Sequence, residues 1–146
     1  MIKTFKGKVA DNTITKIRLS TNNGLKGYKI IKFQLFPVSP TVEMSGLAFI
    51  HSVEPAATST TANFDDPTML AAALYTQDDA NRNTPEDYTV IIDAKVINQD
   101  IFLSYNETLA ASGQPINYYI ELEQIKLDLA ENTVATLRDI RNIASQ

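Results

Sequence analysis

Cysteine is absent from this chain of 146 residues, and only one histidine is present. Without cysteine, disulfides, thiolate metal ligands and thiol nucleophiles are all excluded. A zinc site built from several histidines is excluded as well. The fold must therefore be stabilised by packing or by assembly.

Glycine is scarce, with five residues, and none of them belongs to a phosphate-binding loop such as GxxxxGK[ST]. No nucleophile-elbow sequence surrounds a serine. The single histidine, His51, shares strand phase with Leu47 and Phe49, and a histidine in such a position more often packs in or near a core than acts as a base. We therefore predict no catalytic residue, no cofactor and a protein that is not an enzyme.

Long apolar runs are missing too, since no stretch reaches the roughly 18–20 residues needed to span a bilayer. The first ten residues, MIKTFKGKVA, contain no apolar segment typical of signal peptides, so we expect no secretory signal. Hydrophobic residues make up 44% and charged residues 21% of the chain, as in ordinary globular proteins. This composition and length predict a single domain over 1–146.

Charge is unevenly distributed, although the formal net charge is only −4. The first 36 residues contain eight basic residues and one acidic residue, Asp11, whereas the rest of the chain contains five basic and sixteen acidic residues. The ordinary interpretation is that folding mixes both signs on one surface. The functional interpretation is a subunit with a basic and an acidic face, suited to pairing with copies of itself or docking on an acidic scaffold.

Short runs of β-branched and aromatic residues alternate with turn-forming clusters. We predict strands at 13–20, 28–36, 42–53, 68–76, 88–97, 100–105 and 116–127. The alanines of 68–76 favour helix, but the run is short and lies between loops, so we assign it as a strand. The Asn23-Gly24 pair predicts a hairpin between the first two strands. Seven or eight strands at this spacing indicate an antiparallel β-sandwich of jelly-roll or immunoglobulin-like type.

The stretch INYYIELEQIKL, residues 116–127, alternates regularly and then changes phase after Glu123. The even-numbered residues from Tyr118 to Leu122 share one face, which we expect to be buried. Glu121 and Glu123 are expected in solvent or beside a lysine of a neighbouring copy. The phase change predicts either a bulge at this point or a strand that passes between sheets. We expect this strand to close the sandwich and to direct the tail toward the next subunit.

The end of the chain changes from a period of two to the helical period. Apolar residues from Ala130 to Ala144 follow the i, i+3, i+4 spacing of one helical face, and Asp128 with Glu131 forms a capping box. Basic residues near the C-terminal end complement the helix dipole. We therefore predict a short C-terminal α-helix over 128–144.

The acidic segment 77–87 is the candidate for a metal ion. Its run DANRN (79–83) matches the first ligand positions of an EF-hand, but Thr84 stands where glycine is required and Val90 where glutamate is required. An EF-hand is therefore excluded, and a solvated loop without metal is our expectation. The alternative is an irregular calcium site, with the candidate ligands Asp78, Asp79, Asn81, Glu86 and Asp87.

The order of segments in 88–141 resembles a group of small structural proteins of marine bacterial viruses. The resemblance is carried by a VIIDAKVINQDIFLSY strand pair, a short polar loop, the strand NYYIELEQIKL and the closing segment ENTVATLRDIRN. The first half is similar in outline, with GYKIIKFQLFP, a strand ending in HSVEP, a Ser/Thr loop and an alanine-rich strand. The resemblance implies a capsid-associated β-sandwich protein of a bacteriophage virion, made in the host cytoplasm and without catalytic residues.

We expect this chain to be a coat or head-decoration subunit that self-assembles in or on a viral capsid. Its expected partners are copies of itself and other capsid proteins, with no membrane span and no small-molecule substrate. Nucleic-acid binding is not expected, because few aromatic residues interleave with the basic ones. We predict a contact arm at 1–12 and subunit contacts through Lys3, Lys6, Lys8, Arg138 and Arg141.

The alternative function is a receptor- or carbohydrate-binding β-sandwich module, for instance on a tail fibre. Exposed aromatic residues on a flat face would favour this interpretation. Tyr28, Tyr75, Tyr88 and Tyr105 mostly fall in strand phase, which is more typical of a core or an interface.

Overall fold

A computed structural model describes residues 1–19, 26–77, 85–92, 96–108 and 113–127. These residues form eight strands: β1 (Ile2–Val9), β2 (Thr13–Ile17), β3 (Lys26–Pro37), β4 (Met44–His51), β5 (Met69–Gln77), β6 (Glu86–Ile91), β7 (Ile101–Glu107) and β8 (Ile116–Lys126). The mainly β fold predicted from the sequence is confirmed, and no helix lies among the described residues. The helix predicted over 128–144 lies outside them.

The strands form two antiparallel sheets. The small sheet has three strands in the order β1-β8-β3, and the large sheet has five in the order β2-β7-β4-β5-β6. β8 lies in the middle of the small sheet and pairs along its length with both β1 and β3. The large sheet is centred on β4, which pairs with β5 on one side and β7 on the other.

The inward faces of the two sheets share one hydrophobic core. Phe33 of β3 and Ile120 of β8 cluster there with Ile50 of β4 and Leu103 of β7, and none of the four is more than 2% exposed. Buried and exposed residues alternate along most of β3, the period of two that places one face of a strand in a core. Apolar burial of this kind is the main driving force for folding in a chain without disulfides.

The alanine-rich stretch is a strand, as predicted. Ala71, Ala72 and Ala73 lie in β5, and each is at most 7% exposed. β3 of the small sheet lies against β5. Ala71 and Ala73 belong to the core shared with the small sheet, whereas Ala72 packs with Phe49 and Met69 in a separate cluster. Tertiary packing thus overrides the helical propensity of alanine.

The turn predicted at Asn23-Gly24 lies outside the described residues, but the hairpin pairing predicted for the strands on either side of it is wrong. β2 pairs with β7 in the large sheet, whereas β3 pairs with β8 in the small sheet. Residues 18–25 connect these strands, a longer segment than ordinary hairpin loops of about two to five residues. The expected strand pair of β6 and β7 is also wrong, because β6 lies beside β5 and β7 lies between β2 and β4.

β8 neither carries a bulge nor changes sheets. The register irregularity lies opposite it in β3, between Ile30 and Lys32, where Ile31 has no partner in β8. This extra residue turns Ile31 outward, with 43% of its surface exposed. β8 is therefore the central strand of the small sheet rather than a strand that closes an edge.

The burial predicted for β8 is confirmed at its centre. Ile120 and Leu122 are fully buried, whereas Tyr118 is half-buried. Glu123 is exposed, as expected, and Glu121 is half-buried.

β1 was not predicted as a strand. It pairs with β8 without interruption, from Ile2 opposite Glu123 to Val9 opposite Ile116. The predicted contact arm over 1–12 therefore contains a regular edge strand.

The chain between β6 and β7 links the two sheets. β6 pairs with β5 in the large sheet, but Ile97, which follows it, exchanges two backbone hydrogen bonds of 2.8 and 2.9 Å with Tyr28 of β3. β3 also lies against β6. The described residues before and after 93–95 thus pair with different sheets.

Candidate assembly surfaces

The outer face of the small sheet is polar and basic. Tyr119 of β8 lies at its centre, between Lys6 of β1 and Gln34 of β3. The other rows across this face are Lys8–Asn117–Phe36, Thr4–Glu121–Lys32 and Ile2–Glu123–Lys29. Every β1 residue in these rows is exposed, so the face is open to solvent along that edge.

Tyr119 is held by two charged neighbours. Its hydroxyl donates a 2.9 Å hydrogen bond to Oε1 of Glu121, and Nζ of Lys32 lies 5.7 Å from the centre of its ring. The hydrogen bond to Glu121 raises the pKa of Tyr119, because the bond is made by the protonated hydroxyl and a tyrosinate would lie beside a carboxylate. Tyr119 is therefore a fixed, neutral part of this surface with a cation over its ring.

Basic residues gather on the two strands that flank β8. Six of the eight basic residues in the first 36 positions lie on β1 and β3, namely Lys3, Lys6, Lys8, Lys26, Lys29 and Lys32. Neither strand contains an acidic residue. We call the outward-facing part of this set, with its exposed apolar neighbours, the basic face: Lys6, Lys8, Lys29 and Lys32 with Ile31 and Phe36.

Acidic residues occupy a different part of the molecule. The described residues between 37 and 92, which include β4, β5 and β6, contain no Lys or Arg. Glu43, Glu86 and Asp87 are exposed at one end of the large sheet, where β4 begins, β5 ends and β6 begins. We call these three residues, together with Tyr88 and Val90 of β6, the acidic end.

Both surfaces also expose large apolar side chains. On the basic face Ile31 is 43% and Phe36 is 65% exposed, and on the acidic end Tyr88 is 59% and Val90 is 46% exposed. Apolar side chains surrounded by charged ones are typical of protein–protein interfaces. In the described part of the chain, lysines thus predominate on the basic face, where Glu121 and Glu123 are also present, and acidic residues predominate on the acidic end. Each of the two surfaces exposes apolar side chains.

His51 packs near the core, as predicted. It is 7% exposed, its ring centre lies 5.9 Å from that of Phe49, and its Nε2 lies 3.6 Å from Oδ2 of Asp66. Burial lowers the pKa of His51, and the negative charge of Asp66 opposes this shift without cancelling it. The imidazole thus lies enclosed between β4 and the loop over 52–68.

The residues predicted to make subunit contacts lie in different places. Lys6 and Lys8 lie on the basic face, whereas Lys3 lies opposite buried Leu122, with its Nζ 5.6 Å from the centre of the Tyr28 ring. Arg138 and Arg141 lie outside the described residues. The prediction missed Lys29 and Lys32, which lie on the same face.

The candidate calcium ligands are only partly described. Asp78, Asp79 and Asn81 lie outside the described residues, while Glu86 and Asp87 are adjacent and exposed at the start of β6. Among the residues that the structure describes, no group of three or more acidic or histidine side chains is arranged to hold a metal ion. The same part of the chain holds no helix of the length and apolar character needed to cross a membrane.

Comparison with known proteins gives no match to a family model, to a curated protein or to a solved structure. The strand order and the two charged surfaces therefore carry the functional argument.

Proposed function

We propose that this chain is a virion structural protein, a coat or head-decoration subunit that assembles in or on a viral capsid. The observation that carries the proposal is the strand order, from which we infer a β-sandwich of jelly-roll type. In a jelly roll, strands 1, 8, 3 and 6 form one sheet and strands 2, 7, 4 and 5 the other. The orders β1-β8-β3 and β2-β7-β4-β5 match this arrangement. In a jelly roll strand 6 lies beside strand 3, and Ile97, which follows β6, pairs with Tyr28 of β3 at this place.

Jelly rolls are common in viral capsids, but lectin domains and cupins also use them, so the fold alone does not decide the function. The separation of charge adds a second argument. A subunit of a closed shell needs at least two surfaces that complement its neighbours. The basic face and the acidic end offer two surfaces of opposite predominant charge on one chain, which supports the proposal.

The proposal includes the parts of the chain outside the described residues. A helix over 128–144 carrying Arg138 and Arg141 would extend from the end of β8 and contact the next subunit. The lack of cysteine suits a protein folded in a reducing host cytoplasm and then built into the virion.

Electron microscopy and solution mass of the purified protein, at low and high ionic strength, test this proposal. A shell subunit forms large assemblies or binds to purified capsids, and salt weakens this association because charged surfaces are screened. A protein that stays monomeric under both conditions and does not bind capsids contradicts the proposal.

A second candidate function is a carbohydrate- or receptor-binding module. It is favoured by the exposure of Phe36 and Tyr88, at 65% and 59%, because exposed aromatic rings can stack on sugars. Glycan-binding assays on the wild type and on Phe36→Ser and Tyr88→Ser variants test it. A monomer that binds glycans through either ring supports the module and contradicts the shell subunit.

A further inference from the structure

We propose that the acidic end of one copy docks on the basic face of a second copy, with the exposed apolar side chains of the two surfaces in contact. This inference rests on the proposed function, because it names a contact through which subunits associate. The occupant of the basic face is thus a second copy of this chain.

The first argument is charge complementarity within one sequence. β1 and β3 contain six lysines and no acidic residue, whereas β4, β5 and β6 contain no lysine or arginine. Two copies can therefore bring the lysines of β1 and β3 against Glu86 and Asp87, although the basic face also includes Glu121 and Glu123 on its central strand. Such complementarity speeds association and fixes the orientation of partners.

The second argument is the bulge in β3. In a regular strand every second side chain points inward. Here two consecutive residues, Ile31 and Lys32, are both exposed, and the residues on either side of them, Ile30 and Phe33, are buried. The bulge thus places an apolar group beside a cation at the surface of β3. Tyr88 and Glu86 form a matching pair on the acidic end, where the tyrosine hydroxyl lies 3.3 Å from the carboxylate.

The third argument distinguishes this partner from a nucleic acid. Single-stranded nucleic acids bind to sheets through free aromatic rings and uninterrupted positive charge. On the basic face the ring of Tyr119 is covered by the ammonium group of Lys32, and Glu121 and Glu123 lie along the central strand. A protein surface with both charge and apolar side chains fits this mixed face better than a chain of phosphates does.

Charge reversal of each surface, followed by mixing, tests the contact. One variant, Lys29→Glu/Lys32→Glu, reverses the basic face, and a second, Glu86→Lys/Asp87→Lys, reverses the acidic end. In sedimentation velocity at low ionic strength, we expect each variant alone to associate at least about tenfold more weakly than the wild type. An equimolar mixture of the two, and a variant carrying all four changes, should both recover association, because opposite charges meet again.

Two further variants keep the test interpretable. Arg18→Glu/Lys126→Glu makes the same change in net charge at exposed positions outside the basic face, and we expect it to associate like the wild type. Lys29→Gln/Lys32→Gln removes the charges without placing new ones beside Glu121 and Glu123, so it replaces the glutamate variant if that one does not fold.

The outcomes separate this contact from the broader function. If both charge-reversed variants assemble like the wild type, or if mixing them does not restore association, the proposed contact is wrong. The proposed function as a shell subunit is not contradicted by either result. Binding of a single-stranded oligonucleotide that depends on Lys29 and Lys32 but not on Glu86 and Asp87 also overturns it, since the occupant is then a polyanion. A wild type that neither assembles nor binds capsids contradicts the proposed function itself.

Discussion

Asp66 joins the loop over 52–68 to the end of β4, where its Oδ2 lies 3.6 Å from Nε2 of His51. The other carboxylate oxygen of Asp66 accepts hydrogen bonds from the backbone N–H and the hydroxyl of Thr68, at 2.9 and 2.7 Å. The Nδ1 atom of His51 is buried, and none of the residues that the structure describes makes a hydrogen bond to it. The loop thus covers the imidazole of His51, and a positive charge on this ring would be poorly solvated.

We therefore expect the free energy of unfolding to decrease as the pH falls below 6.5, the ordinary pKa of histidine. Burial lowers the pKa of His51 in the folded chain, so the unfolded chain binds a proton first and acid favours unfolding. Urea denaturation at pH values of about 8, 6.5 and 5.5 measures the effect. His51→Gln keeps an N–H donor for Asp66 but does not titrate, so its stability should change less over this range. Equal pH dependence of the two proteins contradicts the assignment to His51.

Gln77 offers an isosteric test of a buried polar contact. Its Nε2 donates to the backbone oxygens of Ser39 and Val42, at 2.7 and 2.6 Å, and the side chain is 4% exposed. Gln77→Glu replaces this donor with a carboxylate that faces two carbonyl oxygens, and we expect a loss of about 3 kcal/mol at neutral pH.

Chemical denaturation of Gln77→Glu against the exposed control Gln34→Glu measures this loss. The control should stay within about 0.5 kcal/mol of the wild type, since its side chain lies on the outer face of β3. Similar stabilities for the two variants would show that the contacts of Gln77 with Ser39 and Val42 contribute little.

Gly46 leaves room for a buried aromatic ring. A Cβ atom at this position would lie 2.7 Å from both Cε1 and Oη of Tyr105, a fully buried residue whose hydroxyl donates to the backbone oxygen of Gln114. We expect Gly46→Ala to lower the free energy of unfolding by about 1–3 kcal/mol, because the ring cannot move without losing this hydrogen bond.

The matched control is Gly7→Ala, where the new Cβ would lie 3.0 Å from Oη of Tyr118. Tyr118 is half-buried and can turn outward, so urea denaturation should reveal a smaller loss than for Gly46→Ala. The reverse order of stabilities would contradict the packing described for β4.

The bulge in β3 makes one deletion tolerable. Ile31 has no partner in β8, so its removal leaves Ile30 and Lys32 opposite the residues they already face. We expect the chain lacking Ile31 to fold with its register intact. Deletion of Gln34 instead forces the residues before it to shift by one, which turns Phe33 outward and Lys32 into the core.

Circular dichroism and thermal unfolding compare the two shortened chains. The chain lacking Gln34 should unfold at a lower temperature, by several degrees or more, since a ΔΔG of 1 kcal/mol corresponds to a shift of about 4 °C in a domain of this size. If both chains unfold together, the extra residue is not at Ile31.

The strands were predictable because their pattern is local. In β7, for example, Ile101, Leu103 and Tyr105 follow a strict period of two, and all three are fully buried. The pairing was not predictable in the same way, since nothing near Ile17 indicates that it will lie opposite Ile101 rather than in a hairpin with β3. The pairing of strands in a sheet depends on the whole chain, whereas a local turn signal indicates only one of the pairings that a strand can form.

The candidate surfaces, too, were predictable where the pattern is local and not where they depend on strand pairing. In β3, Lys32 and Gln34 alternate with Phe33 and Leu35, a local pattern that is typical of a strand with one exposed face. β1 was missed because its lysines suggested a charged arm, although Phe5 packs against the core and Val9 belongs to it. The basic face exists only because β8 holds β1 and β3 on either side of itself, a long-range arrangement that single segments do not encode.

The position of β8 has a consequence for synthesis of the chain. Neither β1 nor β3 has a strand partner in the small sheet until β8, the last described strand, has left the ribosome. During translation both strands are therefore unpaired edges that could join those of other nascent chains. Lysines on a strand edge disfavour such pairing, so we expect the lysines of β1 and β3 to protect the unfinished chain from aggregation as well.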